Sequence, residues 1–69
     1  MIVEITSSSG KMVGTLNVKD YMFYCVVKGK GVGIPIPKTG GYVFYIRGDK
    51  LSEQIIIPPQ SYFIKLHPG

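Results

Sequence analysis

The sequence predicts an all-β protein, folded as a small antiparallel barrel or as a compact sandwich of about five to seven short strands. Three observations lead to this prediction. Val, Ile, Tyr, Phe and Thr recur throughout the chain, and alanine is absent. No long stretch carries apolar residues at the spacing of a helix face. Glycine and proline interrupt the chain every several residues, as they do between short strands. We expect residues 1–69 to form a single β domain.

The first half of the chain is predicted to contain three strands. Residues 2–6 are the first strand, and residues 7–10 (SSSG) form a turn. Residues 11–19 show the clearest alternation in the sequence. One face of that strand comprises Met12, Gly14, Leu16 and Val18. Residues 21–28 are apolar on both faces, which predicts a core on one face and either a dimer interface or an aromatic ligand platform on the other.

Residues 29–38 place glycines and prolines on one face of an extended chain, and lysines and aliphatic residues on the other. Pro35 and Pro37 cannot donate hydrogen bonds to a sheet ladder. We therefore expect residues 34–37 to be an edge or polyproline-like segment rather than a central strand. A flexible hairpin loop with solubilising lysines is the alternative interpretation.

The second half is predicted to hold further strands at residues 42–47, 55–57 and 62–67, with Gly48-Asp49 as a hairpin turn. Residues 51–54 fit a short turn or the start of a strand. On the last strand, the outward side chains are expected to be Phe63, Lys65 and His67. The predicted core comprises Val3, Ile5, Leu16, Val18, Phe23, Cys25, Val27, Phe44, Ile46, Ile57, Ile64 and Leu66.

The net charge of +4 is concentrated in one part of the chain. Between Asp20 and Asp49 there are four cations and no acid, which predicts a cationic patch. Proteins that bind single-stranded nucleic acid combine cations with aromatic rings on which bases stack. We therefore expect an aromatic and cationic surface that binds single-stranded nucleic acid. Its predicted residues are Tyr24, Lys28, Lys30, Lys38, Tyr42, Tyr45, Arg47, Phe63 and Lys65.

Two other functions fit the same residues. The chain could be a protein-interaction module, or a virus-type inhibitor of a host protein, that docks through the Gly/Pro-rich edge at 29–37. It could also be a structural subunit of a homo-oligomer.

A chain of this length buries only roughly 60% of its unfolded surface, and the single cysteine and single histidine exclude an internal disulfide and a Cys/His zinc site. Self-association is the remaining way to gain stability, so we expect a homo-oligomer, most simply a dimer.

The sequence contains few residues that could support catalysis or bind a cofactor. The four acids are scattered along the chain, and Cys25 lies within an apolar strand, which is typical of an inert core thiol. Gly29-x-Gly31-x-Gly33 lacks the helix and the Lys-Ser/Thr ending of a phosphate loop. Arg47-Gly48-Asp49 matches an adhesion tripeptide, but Gly-Asp is also a common two-residue hairpin turn. We expect no enzyme activity, no metal and no cofactor.

The sequence contains neither a signal peptide at residues 1–10 nor an apolar run of membrane-spanning length. The expected location is the cytoplasm of a cell or of a virus-infected host. In size and composition the chain is similar to small OB-like (or SH3-like) and cold-shock-type barrels, and to the short single-strand binders of filamentous phages. The likeness covers the whole length but rests on composition and strand number, since residues 30–34 lack the aromatics of the cold-shock motif.

Overall fold

The structure is a computed structural model that describes residues 1–47 and 50–67, apart from the side chains of 42–47 and 50–53. The described residues form six strands and one short helix. In chain order these are β1 (Ile2–Thr6), β2 (Met12–Asn17), β3 (Met22–Val27), β4 (Lys30–Pro35), β5 (Gly41–Arg47), β6 (Lys50–Ile57) and α1 (Gln60–Leu66). The prediction of a predominantly β protein is confirmed. The predicted Gly48-Asp49 turn lies outside the described residues.

The strands form two antiparallel sheets. The first has four strands in the order β1-β2-β3-β4, and the second pairs β5 with β6. Both sheets contribute to one hydrophobic core, in which Leu16 and Phe23 of the first sheet are packed with Ile55 and Ile57 of the second. In the described part of the chain the four-stranded sheet is open, with β1 and β4 at its edges, and no closed barrel forms.

A tight turn fixes the register of β3 against β4. Lys28 and Gly29 are the two turn residues, and both have positive φ, at 52° and 78°. Two consecutive residues in this conformation form the type I′ turn, whose twist matches that of the paired strands. The turn places Val26 opposite Gly31 and Tyr24 opposite Gly33. The prediction that residues 34–37 include a sheet edge is confirmed for Ile34 and Pro35, because both belong to β4, an edge strand of the described sheet.

A β-bulge changes which face of β2 is buried. Thr6 pairs with Met12 while Ile5 pairs with Gly14, so Val13 has no partner in the ladder. Val13 is consequently buried, and Met12 is 55% exposed. The sequence alternation had placed Met12 with Leu16 and Val18 on one face. That placement is wrong for Met12, because the extra residue reverses the alternation at the start of the strand.

Most of the predicted core that falls on described side chains is buried. The confirmed positions are Ile5, Leu16, Val18, Phe23, Cys25 and Ile57, with Val3 and Val27 partly buried against them. Ile55 is also buried, but its neighbour Ile56 is exposed because successive strand residues point to opposite sides. Phe44 and Ile46 belong to the side chains that are not described. Among the described side chains, the buried hydrophobic ones outside the predicted set are Val13, Tyr21, Ile36, Ile55 and Phe63.

The predicted last strand at residues 62–67 is wrong, because residues 60–66 form α1. Pro58 and Pro59 end the preceding strand, and Gln60 anchors the helix to the first sheet. The Gln60 backbone N–H donates to the Lys38 carbonyl at 2.8 Å, and its side-chain amide donates to the Val18 carbonyl at 2.8 Å. Phe63 then enters the core, whereas Ile64 and Leu66, predicted to be buried, are each 55% exposed.

Candidate functional site

The face of the four-stranded sheet that points away from the core is mainly apolar. We call it the outer face, and it comprises Ile2, Glu4, Thr6, Met12, Thr15, Asn17, Met22, Tyr24, Val26, Gly31, Gly33 and Pro35. Among these residues Glu4 alone carries a charge. Several large side chains on this face are open to solvent, including Met12, Tyr24 and Val26. An exposed apolar surface of this kind is typical of a binding site.

An open groove of about 630 Å³ crosses the outer face between β2 and β4. Tyr24 stands in it and is 44% exposed. A Cβ atom at Gly33 would lie 3.0 Å from Cε1 of Tyr24, so the phenol ring leans over the backbone of β4 at this position. At Gly31 the space above the backbone is open, since a Cβ atom there would have no neighbouring atom within 4 Å. At Gly31 the floor of the groove along β4 is therefore bare backbone.

Three lysines lie at one end of this groove. Lys11 directly precedes Met12, Lys28 is in the β3–β4 turn, and Lys30 is the first residue of β4. Because β2 and β4 both run antiparallel to β3, these positions share the same end of the sheet. All three residues are exposed. Lys30 pairs with Val27, which is on the core face of the sheet. Lys30 is therefore on that face too, at the end of the sheet. We call this group the basic end.

The structure brings together only some of the predicted site residues. Tyr24, Lys28 and Lys30 lie around the groove and its basic end. Lys38 lies at the opposite end of the sheet, where its carbonyl accepts the hydrogen bond from Gln60. Lys65 is exposed on α1. For Tyr42, Tyr45 and Arg47 the backbone belongs to β5, but their side chains are among those not described.

Phe63 requires a correction. The sequence interpretation placed it outward on a strand as a stacking platform, but it is 9% exposed and belongs to the core cluster. The helical turn of α1 directs it inward, and Tyr62 packs edge-on against it with ring centroids 5.3 Å apart. Tyr62 is the neighbouring aromatic that faces solvent, at 49% exposure.

Several groove residues were missed at the sequence level. Gly31 and Val26 could have been found by treating Lys28-Gly29 as a two-residue turn, because that turn fixes the strand register. Lys11 could then have been assigned to the same end of the sheet as Lys28. The exposed position of Met12 depends on the bulge at Val13, for which the alternation of side chains offers no signal.

Cys25 is among the residues that line the groove, but it is buried, as predicted for a core thiol. Burial raises the pKa of the Cys25 thiol and so favours its protonated, unreactive form. Within residues 1–47 and 50–67, no group of three or more His, Cys, Asp and Glu side chains is arranged to hold a metal ion. Nor does any described helix have the length and apolar character needed to cross a membrane.

Comparison with known proteins returned no matching family model, no matching curated protein and no matching solved structure.

Proposed function

We propose that the chain binds single-stranded nucleic acid on the outer face of the four-stranded sheet. The observation that carries the proposal is the position of Tyr24, an exposed aromatic ring in an open groove that ends at three lysines. This surface is smaller than the one expected from the sequence, since Phe63 and Lys38 are not part of it. It retains the two components that single-strand binders require, an aromatic platform and cations beside it.

The groove suits an unpaired base for steric reasons. A planar base can approach Tyr24 because Gly31 presents no side chain on this face. Met12 and Val26 supply apolar surface in the same groove. Stacking of one base on an aromatic side chain contributes about 1–3 kcal/mol. Tyr24 is therefore expected to hold one base, with further contacts coming from the backbone.

The phosphate path is expected to run toward the basic end. Glu4 lies on the same row of the sheet as Tyr24, separated from it by Thr15, and its charge repels phosphate from the β1 side. Lys11, Lys28 and Lys30 attract phosphate at the basic end. For three phosphate contacts to a single strand, the logarithm of the association constant should fall with the logarithm of salt concentration with a slope of about −2.

The proposal is tested by fluorescence anisotropy of a labelled oligodeoxythymidylate, titrated with protein over a series of salt concentrations. The double variant K28E/K30E should bind weakly and show a shallower salt dependence. The matched control is K19E/K38E, which changes the charge equally at the opposite end of the sheet and should bind better than K28E/K30E. Equal weakening by the two variants would show that affinity follows net charge and does not depend on the basic end.

The aromatic component has its own matched pair of variants. Tyr24→Leu should weaken binding by about 5- to 150-fold, corresponding to the loss of one stacked base. Tyr62→Leu removes an aromatic ring of similar exposure on α1 and should leave the affinity unchanged. Absence of binding by the unmodified protein at low salt would remove the nucleic-acid proposal altogether.

A protein-interaction module is the second candidate, and the free edge of β4 favours it. An extended segment of a partner could add to that edge and place apolar side chains in the adjoining groove. An inhibitor of a host protein or a structural subunit would use the same edge. In fold terms, we propose that the two packed sheets form a compact sandwich rather than an OB- or SH3-like barrel, because separate sheets share the core.

A further inference from the structure

The hydrogen-bonding pattern of β4 shows which backbone groups face its free edge. Ile36 donates its N–H to the Tyr21 carbonyl at 3.0 Å, so residue 36 faces β3. In an antiparallel ladder the direction of these groups alternates along the strand. Residues 30, 32 and 34 therefore also face β3. The N–H and C=O groups of Gly31 and Gly33 face away from the sheet.

The two prolines limit how far this free edge extends. Pro35 and Pro37 occupy the outward-facing positions that follow Gly33, and neither has an N–H to donate. The Pro37 carbonyl already accepts a hydrogen bond from Gly40 at 2.9 Å. Outward donors on β4 are thus confined to Gly31 and Gly33. A strand that adds here is restricted to a short ladder at this pair of residues.

The opposite edge of the sheet is less suited to pairing. The Val18 N–H donates to the Met1 carbonyl at 2.9 Å, so Ile2, Glu4 and Thr6 face outward on β1. Glu4 places a charge in the middle of that edge, which is a common protection against strand addition. The end of β1 also lies beside β6, since Thr6 and Ile56 line one small cavity.

We infer that the free edge of β4 pairs with β4 of a second copy of this chain. Antiparallel pairing about a two-fold axis at Val32 places Gly31 opposite Gly33 of the partner subunit, and Gly33 opposite Gly31 of the partner subunit. Both pairs consist of outward-facing residues, so each exchanges two backbone hydrogen bonds. The four outward groups of Gly31 and Gly33 are then all satisfied, because the donor and acceptor pattern is self-complementary. A second copy is the occupant because this two-residue ladder is symmetric about Val32, and because a chain of this length with one cysteine and one histidine gains stability by self-association.

Pairing in this register joins two grooves into one surface. A two-fold axis perpendicular to the sheet leaves both outer faces on the same side. Tyr24 then lies in one row with Gly33, Gly31 of the partner subunit and Val26 of the partner subunit. The two Tyr24 Cα atoms are separated by about 16 Å. This distance combines three interstrand spacings across the sheet with an offset of two residues along the strands. The dimer does not depend on nucleic-acid binding, but it would place two aromatic rings on one continuous face.

Electrostatics permits this arrangement. Lys30 is opposite Ile34 of the partner subunit, so no lysine is directly paired with a lysine. The two Lys30 positions are four residues apart along the joined strands, which is about 14 Å. At that distance in water and ordinary salt their repulsion is largely screened.

The first test compares two variants at Gly31 by sedimentation velocity over a concentration series. Gly31→Pro removes an N–H that faces away from the sheet and makes no ladder bond to β3. The native Pro35 occupies an equivalent outward-facing position on the same edge. Gly31→Ala keeps that N–H and adds a methyl group where nothing lies within 4 Å. The unmodified chain and Gly31→Ala should dimerise, whereas Gly31→Pro should sediment as a monomer with an unchanged far-ultraviolet circular dichroism spectrum.

The second test reads the register directly. Val32 would form a non-hydrogen-bonded pair with Val32 of the partner subunit, at a Cα separation of about 4.5 Å that a disulfide can bridge. In a Cys25→Ala background, which removes the native thiol opposite Val32, the Val32→Cys variant should form a disulfide-linked dimer on mild oxidation. Lys30→Cys in the same background should not, because the two thiols would be too far apart.

Three results would overturn the inference. The unmodified chain could remain monomeric at concentrations up to about 1 mM, which would place the dissociation constant of any dimer above the millimolar range. Gly31→Pro could dimerise as well as the unmodified chain, which would place the interface elsewhere. Lys30→Cys could cross-link as fast as Val32→Cys, which would contradict the register. A monomer that still binds oligodeoxythymidylate would overturn the pairing and leave the nucleic-acid proposal intact.

Discussion

Gly14 offers the sharpest test of how the core is packed. It lies in β2, is buried, and faces Phe23 of the adjacent strand. A methyl group at this position would overlap the backbone carbonyl oxygen of Tyr24. It would also lie only 2.8 Å from both Cε1 and Cζ of the Phe23 ring. Ordinary contact between carbon atoms is about 3.5–4.0 Å.

Neither neighbour can easily move away. The Tyr24 oxygen belongs to the backbone of β3, and the Phe23 ring is fully buried at 0% exposure. Gly14→Ala should therefore displace the strand and lower the free energy of unfolding by about 1–3 kcal/mol, the usual cost of overpacking. For a domain of this size, each 1 kcal/mol corresponds to about 4–8 °C in Tm.

Gly31→Ala is the control, since the same chemical change is made on the same sheet where nothing lies within 4 Å. It should be neutral or more stable by up to about 1 kcal/mol, because alanine restricts the unfolded chain. Urea unfolding followed by far-ultraviolet circular dichroism measures both variants, at protein concentrations low enough to exclude self-association. If the two free energies of unfolding differ by less than about 0.5 kcal/mol, the close approach at Gly14 is not as described.

Two further predictions concern the contacts that hold the second sheet and α1 to the first. Tyr21→Phe removes the hydrogen bond from the Tyr21 hydroxyl to the Pro58 carbonyl and should cost about 1 kcal/mol at pH 7. Burial raises the pKa of Tyr21, so the folded state retains its proton more tightly than the unfolded state and the wild-type chain loses stability as the pH rises above about 10. The difference between wild type and Tyr21→Phe in urea unfolding should therefore shrink at alkaline pH; a constant difference would contradict the burial of the phenol. Phe63→Ala should lower the free energy of unfolding by about 3 kcal/mol, whereas Ile64→Ala should change it by less than about 0.5 kcal/mol; the reverse order would indicate that residues 62–67 form the strand expected from their alternation.

Local sequence signals were sufficient for much of the first sheet. The first strand was predicted with the bounds that the structure shows, and residues 7–10 form the expected turn. Pro35 and Pro37 identified the edge because proline has no N–H to offer a neighbouring strand. These features depend on chemistry within a few residues, namely side-chain branching, turn conformation and missing donors. Such chemistry can be inferred from the sequence.

For the candidate site, the sequence identified Tyr24, Lys28 and Lys30 but could not separate them from Lys38 at the other end of the sheet. Charge along the chain indicates which cations are near in sequence, whereas strand register decides which are near in space. The hairpin turn after β3 brings Lys30 back beside Lys28 and carries Lys38 away.

The helix and the bulge were decided by tertiary contacts alone. Residues 62–66 alternate as a strand would, yet Gln60 binds the carbonyl of Val18, which is 42 residues away, and Phe63 fills the core beside it. The bulge at Val13 similarly places a buried side chain where alternation predicts an exposed one. Local propensities differ by only about 1 kcal/mol per residue or less, so one buried aromatic side chain outweighs them. That burial is a property of the assembled sheets, and no short stretch of the sequence contains it.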